Sequence, residues 1–236
     1  MKDSLYIVIP AYNEAENLEE LVKEWYRVLE QFGNKDSRLV IVNDGSKDNS
    51  AEILEKLKKE YEKLVPLTKK NGGHGSTVLY GYKYAIEKDA DYIFQTDSDR
   101  QTNPDEFIKF WMRRKEFDAI IGERMHRGDG RSRKMVENVV CLLLKLFFGV
   151  KVKDANAPYR LMKSELVAKY IDRMPENYNL PNIMFTTYFV YYGHKVHFEE
   201  ISFKPREKGT NSINIKKIFK IGFNALKDFT KFRREM

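Results

Sequence analysis

Five apolar residues without alternation, Leu5-Tyr6-Ile7-Val8-Ile9, are followed by a longer stretch, Glu14 to Phe32, in which apolar positions return at helical spacing. The unit repeats. Leu39-Val40-Ile41-Val42 precedes a helical pattern over Asn49 to Tyr61, and Leu64-Val65-Pro66-Leu67 precedes one over His74 to Glu87. Tyr92-Ile93-Phe94-Gln95 precedes a helix that starts at Pro104, a residue favoured in the first turn. Ala119-Ile120-Ile121 is a further strand that stops at Gly122. Strands apolar at every position are covered on both faces, and helices between them make right-handed crossovers. The pattern therefore predicts an α/β fold with a Rossmann-like, mostly parallel sheet flanked by helices.

Beyond Gly122 the period loosens. Arg124 to Arg133 is polar and contains Gly128 and Gly130, which predicts a mobile loop. A helix through Phe148, a short loop, a helix near Ser164 to Ile171, an apolar aromatic helix over Pro181 to Tyr192 and a strand over Val196 to Phe203 follow. After Ser212 the composition becomes basic and amphipathic, so residues 1–212 are predicted to form the main domain and 213–236 a C-terminal helix. In that helix Ile215, Ile218, Phe219, Gly222, Ala225, Leu226 and Phe229 recur at helical spacing, while Lys216, Lys217, Lys220, Lys227 and Lys231 occupy other faces. Such a helix can lie on an anionic bilayer, or pack its apolar side on the main domain or a partner protein.

A chain of 236 residues closes a sizeable core as one domain. Its formal charge of +7 asks for an anionic partner, which nucleic acid, anionic lipid or a phosphorylated substrate could each supply. No nucleic-acid-binding motif appears, and the basic residues gather in the terminal helix and in loops, so nucleic acid is not expected. Cys141, the single cysteine, lies in an apolar run and is expected to be a buried small hydrophobe. It can form no internal disulfide, which fits a reducing compartment. The chain opens directly on a strand, and its longest apolar run, Val139 to Val150, is broken by Lys145 and too short to cross a bilayer. The expected location is cytoplasmic, with any membrane attachment peripheral on the cytoplasmic face.

In an open parallel sheet, ligands bind beyond the carboxyl ends of the strands. Those ends read Pro10-Ala11-Tyr12-Asn13-Glu14, Asn43-Asp44-Gly45-Ser46 and Thr96-Asp97-Ser98-Asp99-Arg100-Gln101. Three polar, acid-bearing turns at one edge define a pocket. Asp97 and Asp99, two residues apart after a strand, suit a hard cation: Mg2+ or Mn2+ held by few carboxylates keeps positions open for diphosphate oxygens. A solvated turn also uses such a triplet, but the position at the sheet edge favours the metal. The segment Asn71-Gly72-Gly73-His74-Gly75-Ser76 leads into a helix, where backbone N–H groups such as that of Gly75 can face phosphate. His74 reads as a local hydrogen-bonding residue, and the four histidines show no metal-ligand spacing.

The runs Val8-Ile9-Pro10-Ala11-Tyr12-Asn13-Glu14, Val42-Asn43-Asp44-Gly45-Ser46 and Asp97-Ser98-Asp99-Arg100-Gln101 resemble the donor-site motifs of inverting family-2 glycosyltransferases with the GT-A fold. The resemblance continues through Gly122-Glu123-Arg124, Arg133, Asp154-Ala155-Asn156-Ala157-Pro158-Tyr159-Arg160 and Arg206-Glu207-Lys208-Gly209. In order and spacing it is most similar to the polyprenyl-phosphate branch, which includes dolichyl-phosphate mannose synthases and their bacterial relatives. It implies metal-dependent, inverting transfer from a nucleotide-sugar donor, a UDP- or GDP-sugar, to a membrane polyprenyl phosphate. Pro10, Ala11, Tyr12 and Glu14 would line the base and ribose pocket, with Asp44 contacting the base or ribose. Asp97 and Asp99 would bind metal and diphosphate, Ser98 would belong to the same nucleotide-sugar site, and Gln101 would lie close to the sugar or acceptor. Arg124 and Arg133 would grip the acceptor phosphate, and Arg206 would come from a loop that closes over the donor.

Arginine's planar fork of donors suits phosphate oxygens independently of any resemblance. A lipid phosphate with a second pKa of about 6 already offers an anionic oxygen at neutral pH, so it needs no general base. The late acid and Arg-Trp signature that resembles the base region of processive polysaccharide synthases is absent. Asp154 is the candidate base if the acceptor is a hydroxyl; otherwise it caps a helix or pairs with Arg160. The sequence departs from the family pattern at Glu137, often serine, at Pro158-Tyr159, often Gly-Phe, and over Arg206 to Ser212, which lacks the usual lysine. All three departures fall on the acceptor side. Two other readings stay open: transfer to a hydroxyl of a glycan, polymer or protein, and a non-catalytic nucleotide-binding module, which would have little use for Asp97 and Asp99 together.

Overall fold

A computed structural model of the chain describes residues 3–127, 131–204 and 227–234, with side chains at all of these except 125–127 and 131–134. In the first half the strands β1 (Leu5–Ala11), β2 (Arg38–Asn43), β3 (Leu64–Thr68) and β4 (Tyr92–Gln95) alternate with the helices α1 (Leu18–Phe32), α2 (Ser50–Glu60) and α3 (His74–Glu87). β1 is buried at all seven positions, since alternate side chains go to opposite faces and both are covered. Leu5, Ile7 and Ile9 join Trp25 of α1 in one core, while Tyr6 and Val8 join Val78 and Tyr82 of α3 in the other. Gly81 lets α3 come close: a Cβ there would sit 2.4 Å from Cγ1 of Val8.

α1 buries Leu18, Leu21, Val22, Trp25, Val28 and Leu29, the three-and-four spacing of a single helical stripe. It starts at Leu18 and not at Glu14 as the periodicity suggests. Asn13 adopts a left-handed φ of 54°, and the Glu14 carbonyl closes a turn by accepting from the Asn17 N–H at 2.8 Å.

The sheet has seven strands in the order β3-β2-β1-β4-β6-β5-β7, where β5 is Ala119–Arg127, β6 is Arg160–Lys163 and β7 is Val196–Phe203. β1 pairs in parallel with β2 on one side and β4 on the other. The strand order therefore reverses at β1, and the exits of β1, β2 and β4 meet there. β6 runs antiparallel to both β4 and β5, whereas β7 is parallel to β5. β6 has no counterpart in the sequence reading, because Arg-Leu-Met-Lys is four residues with a charge at each end and shows no period. β5 continues to Arg127, well into the segment expected to be a loop, since β7 supplies ladder partners for Glu123 and Arg124. Residues 128–130 lie outside the described residues, and α5 (Arg131–Phe148) follows.

A 3-10 turn, Pro104–Glu106, leads into α4 (Phe107–Arg113), whose Phe107, Phe110 and Trp111 are buried on the α1 side. α6 (Ser164–Ile171) and α7 (Pro181–Tyr191) cover the α3 side. Residues 227–234 are helical and turn Phe229 and Phe232, 1% and 3% exposed, into this core. Phe229 meets Phe148 with ring centroids 5.6 Å apart, and Phe232 meets Tyr178 at 5.2 Å. For this stretch, packing on the main domain is what the molecule adopts, while Lys227 and Lys231 stay exposed. Ile215, Ile218, Phe219, Gly222, Ala225, Leu226 and the boundary at Ser212 lie outside the described residues. Cys141 is only half-buried. Its thiol lies 3.7 Å from the Lys153 carbonyl, a loop contact that the apolar run around it does not reveal. Among the described residues no helix is long and apolar enough to cross a membrane.

Candidate active site

The turns after β1 and β2 are laced together. Asn13 N–H donates to Ser46 Oγ at 2.9 Å, and Asn13 Oδ1 accepts from Lys47 N–H at 2.8 Å. Glu14 N–H donates to Ser50 Oγ at 3.2 Å, and Asp48 accepts from Ala15 N–H, Ser50 N–H and Ser50 O–H. Burial alone would raise the Asp48 pKa, but these donors lower it overall. Pro10 and Ala11 are buried at the end of the strand, while Tyr12 is 38% exposed. Glu14 is buried, and its Oε2 accepts from the Asn17 side chain at 2.6 Å.

Asp44 is the centre of a second clasp. Lys69 Nζ donates to Oδ1 at 2.6 Å, Gly72 N–H donates to the same oxygen at 2.8 Å, and Gly73 N–H donates to Oδ2 at 2.8 Å. Burial pushes the Asp44 pKa up, yet the Lys69 ammonium and the backbone donors outweigh it and the net shift is downward. The carboxylate thus ties the β2 turn to the segment that opens α3. Gly75 sits directly under another chain segment, because a Cβ there would lie 2.1 Å from the Tyr178 carbonyl oxygen and 2.7 Å from the Asn179 carbonyl carbon. Its lack of a side chain serves this backbone approach.

The turn after β4 carries the paired acids. Oδ1 of Asp97 is shut off from solvent and accepts no hydrogen bond from the protein. His74 Nε2, on the first turn of α3, lies 3.9 Å from it. Asp99 Oδ1 accepts from Gln101 N–H at 3.2 Å. Ser98 between them is buried. Arg100, with φ 58°, turns away and forks onto Glu24 of α1 at 2.6 and 3.3 Å, which fixes the turn from outside. Gln101 is buried, and its Nε2 donates to the Lys204 carbonyl at 2.7 Å while Lys204 N–H returns to the Gln101 carbonyl at 2.8 Å. Its amide group therefore fastens the end of β7.

A lone buried acceptor beside a second carboxylate fits a divalent cation, since desolvating a carboxylate oxygen without a partner is costly. Among the described residues there is no group of three or more His, Cys, Asp or Glu arranged to hold a metal by themselves. A cation here would therefore need oxygens from its ligand.

Arg124 and Asp154 form a buried fork, Nε to Oδ2 at 2.7 Å and Nη2 to Oδ1 at 2.9 Å, with side chains 8% and 0% exposed. Asp154 is thus paired with Arg124 and not with Arg160. Arg160 instead donates to the carbonyls of Ala155, Ala157 and Asn182 and to Thr186 Oγ1. It is fully buried, and burial draws its pKa down to about 10 against the fields of Tyr82, Asp154 and Asp97, so it stays cationic at neutral pH. The side chain of Arg133, in the first turn of α5, and the whole of Arg206 lie outside the described residues. Sequence reasoning passed over Lys69, which follows β3 directly; reading that strand's end with the other three would have found it. Nothing in the sequence marks Arg160 as the buried cation behind the acidic turn.

A sheet whose order reverses beside an acid-bearing turn, closed by an antiparallel strand, is the GT-A architecture of glycosyltransferases. The chain belongs to glycosyl transferase family 2, whose model matches residues 6–171. A Shewanella sediminis protein named undecaprenyl-phosphate 4-deoxy-4-formamido-L-arabinose transferase is 29% identical over 72% of this chain and 51% of its own length. A Pectobacterium carotovorum protein of the same name is 24% identical over 93% of this chain and 65% of its own length. The chain thus spans about half to two thirds of these relatives. Among solved structures, glucosyl-3-phosphoglycerate synthase of Mycobacterium tuberculosis, in complex with Mn2+, UDP and phosphoglyceric acid, superposes with TM-score 0.71 at 12% identity, covering 98% of this chain and 78% of that one. S. aureus TarS in complex with UDP-GlcNAc gives 0.65 at 17% identity, covering 92% and 64%. At such identities the likeness is one of fold.

Proposed function

We propose that this chain transfers a sugar, with inversion, from a nucleotide-sugar donor to a membrane polyprenyl phosphate. The observation that carries the reading is the buried, unpartnered Oδ1 of Asp97 beside Asp99 at the point where the sheet order reverses. Asp97 and Asp99 would hold Mg2+ or Mn2+, which when bound neutralises charge on the leaving nucleoside diphosphate. Pro10, Ala11, Tyr12 and Glu14 would receive the base and ribose, Ser98 would lie along the diphosphate, and Arg133 and Arg206 would contact phosphates. Asp44 would contact the base or ribose, and its bonds with Lys69, Gly72 and Gly73 fix the turn that carries it.

The choice of a phosphate acceptor rests on Asp154. As the sequence's one candidate base it would need a free carboxylate, but both oxygens are engaged by Arg124 in a site closed to water. A phosphate monoester needs no base at neutral pH, since its second pKa is about 6. The names of the curated relatives point the same way.

The test is a panel of UDP- and GDP-sugars with Mn2+, with and without a short-chain polyprenyl phosphate, followed by mass spectrometry of the lipid product. Sugar-phosphoryl lipid formed only with acceptor and metal is the expected result. Asp99→Ala should lose turnover by orders of magnitude while remaining folded by circular dichroism. Metal-independent transfer, or transfer only to hydroxyl acceptors, contradicts the proposal.

A further inference from the structure

α5 presents an apolar face to solvent. Met135, Val139, Leu142 and Leu146 are 67%, 49%, 55% and 70% exposed, and their steps of four, three and four residues place them along one stripe. Beside the stripe, Val136 is also exposed, and the exposed polar residues over 135–148 are Asn138 and Lys145. Glu137, the helix's one acid, is buried, as are Leu144 and Phe148. Five of the ten large hydrophobic residues exposed among the described residues belong to this helix. Of the other five, Ile108 and Met112 are neighbours on α4, and Tyr12, Tyr80 and Tyr192 stand singly.

We infer that the outward face of α5 lies in the interfacial layer of an anionic bilayer. The occupant is chosen by charge. Over Arg131–Phe148 there are four basic residues, Arg131, Arg133, Lys134 and Lys145, and one acid, a local balance of +3 on a chain of +7. A second copy docking on this stripe would bring two such helices together, whereas anionic headgroups take up the charge while the apolar side chains enter the acyl boundary. Contact through this face is interfacial, because the stripe is one side of a helix whose other side packs on the core. The sequence pattern pointed to the terminal helix for this role, but Phe229 and Phe232 of that helix are consumed by the core. The inference rests on the proposed lipid acceptor for its purpose: α5 begins four residues after β5, the strand that carries Arg124.

The experiment is co-sedimentation of the full chain with vesicles of phosphatidylcholine containing phosphatidylglycerol, compared with phosphatidylcholine alone. Leu142→Glu combined with Leu146→Glu should lower the partition coefficient about tenfold or more, because two apolar side chains are replaced by charges facing the headgroups. Transfer to a short-chain polyprenyl phosphate in detergent should stay within about twofold for this variant; loss of transfer in the wild type itself would fail the proposed function and leave the membrane result intact. Retained vesicle binding by the double variant overturns the inference. So does binding that is abolished by Lys227→Glu with Lys231→Glu while the α5 variant still binds. A Leu146→Trp variant, which adds a reporter at an exposed site, should be quenched by brominated lipid; absence of quenching on bound vesicles also overturns it. If sedimentation velocity shows self-association removed by the double variant with vesicle binding unchanged, the stripe joins two copies and the bilayer is excluded.

Discussion

Replacing Asp154 by Asn separates two roles that a buried acid can have, as a base and as the counter-charge of an arginine. The side chain is fully buried and its two oxygens take the Nε and Nη2 of Arg124 at 2.7 and 2.9 Å. An amide of the same shape leaves the guanidinium buried without its counter-charge, and removing one member of such a pair costs about 3–5 kcal/mol. For a chain of this length, about 2–4 °C in Tm accompanies each kcal/mol, so a fall of roughly 6–20 °C is expected. Urea unfolding followed by the fluorescence of Trp25 and Trp111, both buried in the α1-side core, reads the same change as a shift in midpoint. Arg124→Met should cost a similar amount. The double variant Arg124→Met with Asp154→Leu should recover at least about 1 kcal/mol relative to the sum of the two single changes, since neither charge is then stranded. If Asp154→Asn melts with the wild type yet abolishes turnover and removes an acidic limb from the pH–rate profile, the acid is a base and the ion-pair reasoning is wrong.

Gly75→Ala places a methyl group 2.1 Å from the Tyr178 carbonyl oxygen, a backbone atom that cannot rotate aside, and a loss of about 1–3 kcal/mol is expected in thermal melts. An unchanged melting temperature would show that the 178–179 segment yields freely. Asp44 makes stability depend on pH. Its folded pKa is below the unfolded value of about 3.9, so its contribution is complete above that value and is lost as pH falls through the folded one. Between about pH 5 and 2 the wild type should therefore lose more stability than Asp44→Asn. Parallel acid unfolding curves for the two proteins would remove Asp44 from the account.

The first five elements are legible because each strand centres on an unbroken apolar run and the helices between them carry apolar residues at helical spacing. The same regularity places the three turns at one edge of the sheet. What escaped was decided by tertiary pairing. β6 is too short to carry a period, and β5 extends through polar residues only because β7 lies beside it. Asp154 and Arg124 are thirty positions apart, and no local pattern says which of two arginines an acid will meet. The terminal helix reads as amphipathic whether its apolar side meets lipid or protein; Phe148 and Tyr178 settle the matter for Phe229 and Phe232. The Gln101 side chain donates to the carbonyl of Lys204, a partner over one hundred residues away that no local pattern announces.

The reversed direction of β6 decides which stretches of chain reach the edge that carries Asp97 and Asp99. A parallel strand in that place would deliver its trailing residues there and leave its leading ones at the far end of the sheet. Running the other way, β6 brings its approach segment, Asp154 to Tyr159, to the edge where β4 and β5 depart. An acid from before one strand and an arginine from within its neighbour can then meet without any long excursion of the backbone, so changes in that short approach can reshape this corner while the turns after β1, β2 and β4 keep their parallel scaffold.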